Sequence, residues 1–240
     1  MSGAEGARAA GGNPRRSFFQ RQLEELGARF SILEDGPLAT DFGAAAAERE
    51  QARQLGLCDL SSLPRIGFKG ANTAAWLAGR GVALPAEPHR LARIEDGLLA
   101  CRLSPGEALL LSQPWGSSRL IKDLERSWNI ESAGLCFPVP RRDSHAWLAL
   151  VGARVPAMLT KICGIDFRPH KFADLTLAQT QVARTSAIVA RADVEDTGCW
   201  HLLFDSASAA YMWQVLIDAM SEFDGRPVGC AALAPPGTAQ

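Results

Sequence analysis

Apolar residues recur every three or four positions from Phe18 to Phe30 (FFQRQLEELGARF), at 18, 19, 23, 26 and 30. That spacing predicts a short amphipathic helix, which must dock on the chain's own core or on a partner. Gly36-Pro37 breaks the chain, and Ala44–Leu55 reads as a second helix closed by Gly56. Then the pattern repeats itself. Arg65–Leu77 (RIGFKGANTAAWL) and Ala146–Leu159 (AWLALVGARVPAML) each give an alternating strand, a Gly-Ala pair and a helical stretch. The pairs Gly70-Ala71 and Gly152-Ala153 lie 82 residues apart (152 − 70). Downstream, Leu98–Leu103 and Glu107–Leu111 form one hairpin, and Ala187–Ala192 and Cys199–Phe204 the other. Each hairpin precedes a helix, Ser117–Trp128 and Ser206–Phe223, with Ser117 and Ser206 as candidate N-caps.

The pattern predicts an α+β fold of two strand–helix–strand–strand–helix halves, ferredoxin-like and related by a pseudo-twofold. Residues 1–43 form an N-terminal arm and short helix, 44–140 the first half, 141–225 the second half and 226–240 an irregular tail. The Pro-rich stretch Cys136–Pro140 reads as the link between halves.

Composition narrows the function. A chain of 240 residues with 47% hydrophobic residues buries a substantial core and is not disordered. A net charge of -1 leaves no basic surface for nucleic acid. No apolar run is long enough to span a membrane. The six cysteines, at 58, 101, 136, 163, 199 and 230, are too far apart for a zinc or cluster motif. The first 17 residues lack the apolar core of a signal peptide, so reduced thiols and a cytoplasmic location are expected.

Candidate chemistry is sparse. Asp143-Ser144-His145 holds three triad residue types, but neighbours on a strand point to opposite faces, and the expected role is the start of a strand. The histidines at 89, 145, 170 and 201 have no metal-ligand spacing, and His201 reads as a surface or satisfied histidine. Gly67-Phe68-Lys69-Gly70 lacks the continuation of a phosphate loop. No catalytic or metal-binding residue is assigned. Arg168, His170 and Lys171 concentrate positive charge in one loop and are candidates for an anion or partner face. Phe18, Phe19, Trp115, Trp128, Tyr211 and Trp213 are the interface candidates, as large aromatics anchor interfaces.

Laid out this way, the chain resembles the folate-binding aminomethyltransferase-like superfamily. The segment Leu57-Cys58-Asp59-Leu60-Ser61-Ser62 followed by Arg65–Gly70 is similar to that superfamily's opening. Within it, the resemblance is to the gamma subunits of heterotetrameric sarcosine oxidases. It is carried by Cys163-Gly164-Ile165-Asp166, Pro169 with Phe172, Ala178-Gln179-Thr180 and the aromatic helix from Tyr211, and it covers about residues 50–225. Folate-using members place a carboxylate a few residues after the glycine that here is Gly97; this chain has Leu98-Leu99-Ala100-Cys101. A carboxylate could exchange a proton with the folate amine, whereas Leu99, Ala100 and Cys101 offer none. The superfamily's Lys-Gly-Cys-Tyr signature of iron–sulfur repair is also absent.

The resemblance therefore implies a non-catalytic small subunit beside alpha, beta and delta subunits, which would hold FAD, FMN, NAD and tetrahydrofolate. The complex would oxidatively demethylate an N-methyl amino acid and pass the one-carbon unit to tetrahydrofolate. The alternative is a stand-alone tetrahydrofolate-dependent methyl- or aminomethyltransferase, with Asp59 or Asp96 as the substitute carboxylate. An assembly factor for an iron–sulfur or flavin enzyme is a third reading.

Overall fold

The structure is a computed structural model that describes residues 15–33 and 36–235, less the side chain of Asp96. The arm up to residue 14 lies outside the described residues. In chain order the first elements are α1 (Gln20–Glu25), β1 (Arg29–Leu33), β2 (Gly36–Asp41), α2 (Ala45–Gln54) and β3 (Gly56–Asp59). The first half follows as β4 (Arg65–Lys69), α3 (Thr73–Ala78), β5 (Arg90–Ile94), β6 (Leu98–Ser104), β7 (Glu107–Leu111) and α4 (Arg119–Ser127). After α5 (Ile130–Ala133) and β8 (Phe137–Val139), the second half repeats that order. It comprises β9 (His145–Val151), α6 (Val155–Leu159), β10 (Leu177–Val182), β11 (Thr185–Arg191), β12 (Cys199–Asp205) and α7 (Ala209–Ser221). β13 (Arg226–Pro227) closes the series.

The halves build two sheets with the same internal order, β5-β6-β7-β4-β8 and β10-β11-β12-β9-β3-β13. Alternation along each strand sorts side chains into layers. In the six-stranded sheet Leu148, Leu150, Leu202 and Phe204 face α6 and α7, while Trp147, Ala149, Cys199 and Leu203 face the other sheet. In the five-stranded sheet Ile66, Phe68, Ala100 and Leu110 face α3 and α4, while Leu99, Cys101, Leu109 and Leu111 face inward. The sheets thus pack face to face with helices outside.

The repeat has two features that the pattern does not announce. Each half contains one more strand than predicted, β5 and β10. Both are polar edge strands, with Arg90, Arg93, Gln179 and Gln181 exposed, so their apolar signal is weak. They meet near the pseudo-twofold, where Leu91 N–H donates to Leu175 O at 2.9 Å and Leu177 N–H to His89 O at 3.0 Å. The strand before each half also crosses over. β3 pairs with β9 of the second half, and β8 pairs with β4 of the first. The Pro-rich link is therefore itself an edge strand, where a proline is tolerated because it has no ladder donor to lose.

The N-terminal segment is shorter in helix than predicted: α1 stops at Glu25, and Phe30 lies in the β1–β2 hairpin. The described part of the tail, residues 226–235, packs against the fold. It buries Val228, Cys230 and Leu233, and Glu48 accepts the Gly229 N–H at 2.9 Å. Ser206 is not a cap; its hydroxyl donates to Asp143 O, and Asp205 accepts the Ala207 N–H instead. Ser117 does accept an amide hydrogen bond, from Arg119 at 3.2 Å.

Candidate functional site

The inter-sheet layer is where two halves of such a fold could share a ligand. Here it is largely filled. Leu99 and Cys101 point into it and Ala100 packs on the helix side, all three buried. Burial pushes the Cys101 thiol up to about 12, so it stays protonated and holds no charge at neutral pH. His201 also lies between the sheets. Its Nδ1 accepts the Trp147 indole N–H at 3.2 Å, and burial depresses its pKa to about 4. It is a neutral, satisfied core histidine.

Asp59 sits at the end of β3 and is sealed rather than offered to solvent. Its carboxylate accepts the Ser17 hydroxyl and the Ser61 N–H, the latter at 2.9 Å. Burial raises its pKa, opposed by those hydrogen bonds and by the charge of Arg65. The N-terminal segment thus closes over the one described residue proposed as a substitute carboxylate; the Asp96 side chain lies outside the described residues.

Arg65 was not singled out by sequence reasoning, yet it organises this end of the layer. Its guanidinium donates to five carbonyls: Ser61, Leu63, Arg141, Arg142 and His145. It also lies 5.7 Å from the Trp147 ring centroid. Burial lowers its pKa to about 10, which leaves it charged at neutral pH. Fixed in this way, it ties the loop between β3 and β4 to the segment that leads into β9. The only hint in the sequence is a charged residue opening an otherwise apolar strand.

Asp143-Ser144-His145 makes one contact that strand alternation does not predict. Ser144 precedes β9, so its hydroxyl reaches His145 Nδ1 at 2.8 Å. The polarity is wrong for catalysis. Arg141 Nη1 lies 2.9 Å from His145 Nε2, and arginine can only donate, so the imidazole carries its proton on Nδ1 and donates to Ser144. Ser144 in turn donates to Pro140 O at 3.2 Å. Asp143 is engaged by Arg15 at 2.9 Å. The serine therefore has no base. Burial, then Arg141 and Arg65, lowers the His145 pKa to about 4. Arg141 itself is ion-paired to Glu107 at 2.6 Å.

The glycines of Gly67–Gly70 serve packing. A Cβ on Gly70, at φ +140°, would sit 2.0 Å from Leu135 O. Two clefts flank the layer. One of about 600 Å3 is lined by Arg49, Arg53, Val151, Thr197, Cys199 and Leu233. The other, about 490 Å3, is lined by Arg141, His145, Gln179, Gln181, Ser186 and Leu203. Among the described residues no cluster of His, Cys, Asp and Glu could hold a metal ion, and no helix is long and apolar enough to cross a membrane.

The interface candidates divide. Phe19 and Trp213 are buried in the chain's own core, a correction to their reading as contact residues. Trp115 and Trp128 are half-buried, and the Trp128 indole donates to Cys136 O at 2.8 Å. Phe18 and Tyr211 are exposed, Tyr211 by 48% with its hydroxyl on Ala183 O. In the basic loop, Arg168 is forked onto Asp166 at 2.6 Å, and this pairing holds the Asp166 carboxyl well below its ordinary range. His170 and Lys171 are exposed.

Known proteins are similar to this chain in sequence and fold. A 187-residue stretch, 76% of the chain, is 25% identical to "Sarcosine oxidase subunit gamma" of Corynebacterium sp. (strain U-96), covering 87% of that protein. A 142-residue stretch, 58% of the chain, is 24% identical to the aminomethyltransferase of Thermotoga sp. (strain RQ2), spanning only 37% of that longer protein. Among solved structures, a chain of the heterotetrameric sarcosine oxidase from Corynebacterium sp. U-96, in complex with pyrrole 2-carboxylate, superposes with a TM-score of 0.59. Its identity is 24%, over 76% of this chain and 93% of that one. Aminomethyltransferase T of the Bartonella henselae glycine cleavage system superposes with a TM-score of 0.70. Its identity is 17%, over 92% of this chain and 61% of that one. The fold is thus that of the aminomethyltransferase-like folate-binding domains, as the resemblance implied. The model of the GCVT N-terminal domain matches residues 88–235, well over half of the chain, and the chain belongs to that family.

Proposed function

We propose that this chain is the gamma-type small subunit of a sarcosine-oxidase-like heterotetramer, carrying no active site of its own. The observation that supports this most is the near end-to-end match to a sarcosine oxidase gamma subunit, over 87% of that protein's length. The site geometry agrees with it. The position where a folate-using relative would present a carboxylate holds buried Leu99, Ala100 and Cys101, and Asp59 is capped by Ser17. Neither can exchange a proton with a bound amine.

In this reading alpha, beta and delta subunits carry FAD, FMN, NAD and tetrahydrofolate in the cytoplasm. Together they oxidise an N-methyl amino acid and transfer the one-carbon unit to tetrahydrofolate. This chain supplies a rigid scaffold against which those subunits fold and stay assembled. Titration calorimetry of the isolated chain with tetrahydrofolate tests the proposal against a stand-alone folate-dependent transferase. No heat of binding at micromolar ligand supports it. Micromolar binding with turnover that depends on Asp59 or Asp96 overturns it.

A further inference from the structure

The internal repeat supplies a comparison between two equivalent sheet edges, one covered and one bare. Gln54 O accepts the Arg154 N–H, as Leu135 O accepts the Asn72 N–H, each at 2.9 Å. This puts Gln54 opposite Leu135, and hence Leu55 opposite Cys136, Gly56 opposite Phe137 and Leu57 opposite Pro138. On β3, the chain's own C-terminal segment runs alongside in parallel. Arg226 N–H donates to Leu55 O and Val228 N–H to Leu57 O, the latter at 2.9 Å. On β8, Cys136 O is taken by the Trp128 indole, and Pro138 O has no hydrogen-bond partner among the described residues.

The side chains differ in the same sense. Where the edge is covered, the chain has Gln54 and Gly56, and a Cβ on Gly56 would meet Val228 at 2.9 Å. Where it is bare, it has Leu135 and Phe137, exposed by 59% and 43%, with Ile130 nearby in sequence at 60%. Large apolar side chains held in water on a sheet edge mark an interaction surface.

We propose that β8 takes an extended apolar segment of another subunit, laid parallel to it as Arg226–Val228 lies on β3, with one N–H on Pro138 O and apolar contacts to Leu135 and Phe137. Pro138 offers no donor, so the contact rests on side-chain burial and a single backbone bond, which disfavours open-ended strand pairing between copies. The inference rests on the reading of the chain as a subunit of a complex.

The test is hydrogen–deuterium exchange of residues 130–137 in the complex purified through a tag on this chain, against the isolated chain. The variants Leu135→Arg and Phe137→Arg are assayed in parallel. The proposal expects slowed exchange there in the complex. It also expects both variants to keep the wild-type melting temperature yet retain about tenfold less partner. Equal exchange in complex and isolated chain, or full partner retention by the variants, overturns it while leaving the subunit reading intact. A homodimer broken by Leu135→Arg would make the occupant a second copy, and overturns it too. If the tagged wild type brings down no partner, both readings fall.

Discussion

Phe19 packs against Trp213 with ring centroids 5.3 Å apart and planes tilted by 31°. This contact fastens the N-terminal segment onto the helix layer of the second half. Its neighbour Phe18 is exposed. Truncation of a fully buried aromatic costs about 3–5 kcal/mol, whereas an exposed one costs within about 0.5 kcal/mol. Urea denaturation should therefore separate Phe19→Ala, strongly destabilised, from Phe18→Ala, near wild type. Equal effects would mean that the segment does not dock as described.

The carboxyl of Asp59 is a second anchor of the same segment. Its pKa is raised in the fold, chiefly by burial. The folded state therefore holds its proton to higher pH than the unfolded chain. The stability this lends is complete below the unfolded carboxylate value of about 3.9 and is lost as pH rises through the folded one. Asp59→Asn keeps an acceptor for the Ser61 N–H. It should remove that pH dependence while changing acid-side stability by about 1 kcal/mol or less. An unchanged pH profile in the variant would contradict the assignment.

His201 gives the opposite sign. Its folded pKa, about 4, lies below the ordinary 6.5. The unfolded chain binds the proton first, so stability is full above pH 6.5 and falls as pH drops towards 4. The loss amounts to about 3 kcal/mol for a shift of this size. Chemical denaturation of wild type and His201→Leu at pH 7 and pH 4.5 checks this. The variant should show a markedly smaller drop, although it starts lower because the Trp147 indole loses its acceptor.

The repeat itself is testable at two glycines. Gly70 and Gly152 have φ of +140° and +112°, and a Cβ on either would meet a carbonyl, Leu135 O at 2.0 Å or Gln54 O at 2.5 Å. Each Gly→Ala change should destabilise by about 2 kcal/mol or more. The repeat predicts comparable losses in thermal unfolding of both variants. A tolerated change at either site would break the equivalence.

Much of this architecture was legible in the sequence because it rests on two signals that survive burial. These are alternation in the central strands and the Gly-Ala turn at 70 and 152. β5 and β10 escaped because edge strands expose Arg90, Arg93, Gln179 and Gln181, and so carry little apolar periodicity. The crossing of β3 and β8 into opposite sheets escaped because pairing across 89 to 95 residues for β3 (148 − 59, 151 − 56) and 68 to 72 for β8 (137 − 69, 139 − 67) leaves no local trace. At the site, the missing carboxylate after Gly97 was visible directly. The fates of Phe18 and Phe19, or of Tyr211 and Trp213, were not, since helical spacing identifies a stripe but not which of its edges the core consumes. Arg65 was hidden for a related reason: its five hydrogen bonds all go to backbone carbonyls, which carry no residue signature.

The central claim is that this chain acts by assembly rather than by chemistry. Affinity purification of the tagged chain from its source, with mass measurement of the intact assembly and flavin spectra, tests it most directly. The account predicts stoichiometric recovery with larger flavin-containing chains, oxidation of an N-methyl amino acid by the assembly, and no folate turnover by the chain alone. A monodisperse monomer that carries out folate-dependent transfer unaided would contradict it.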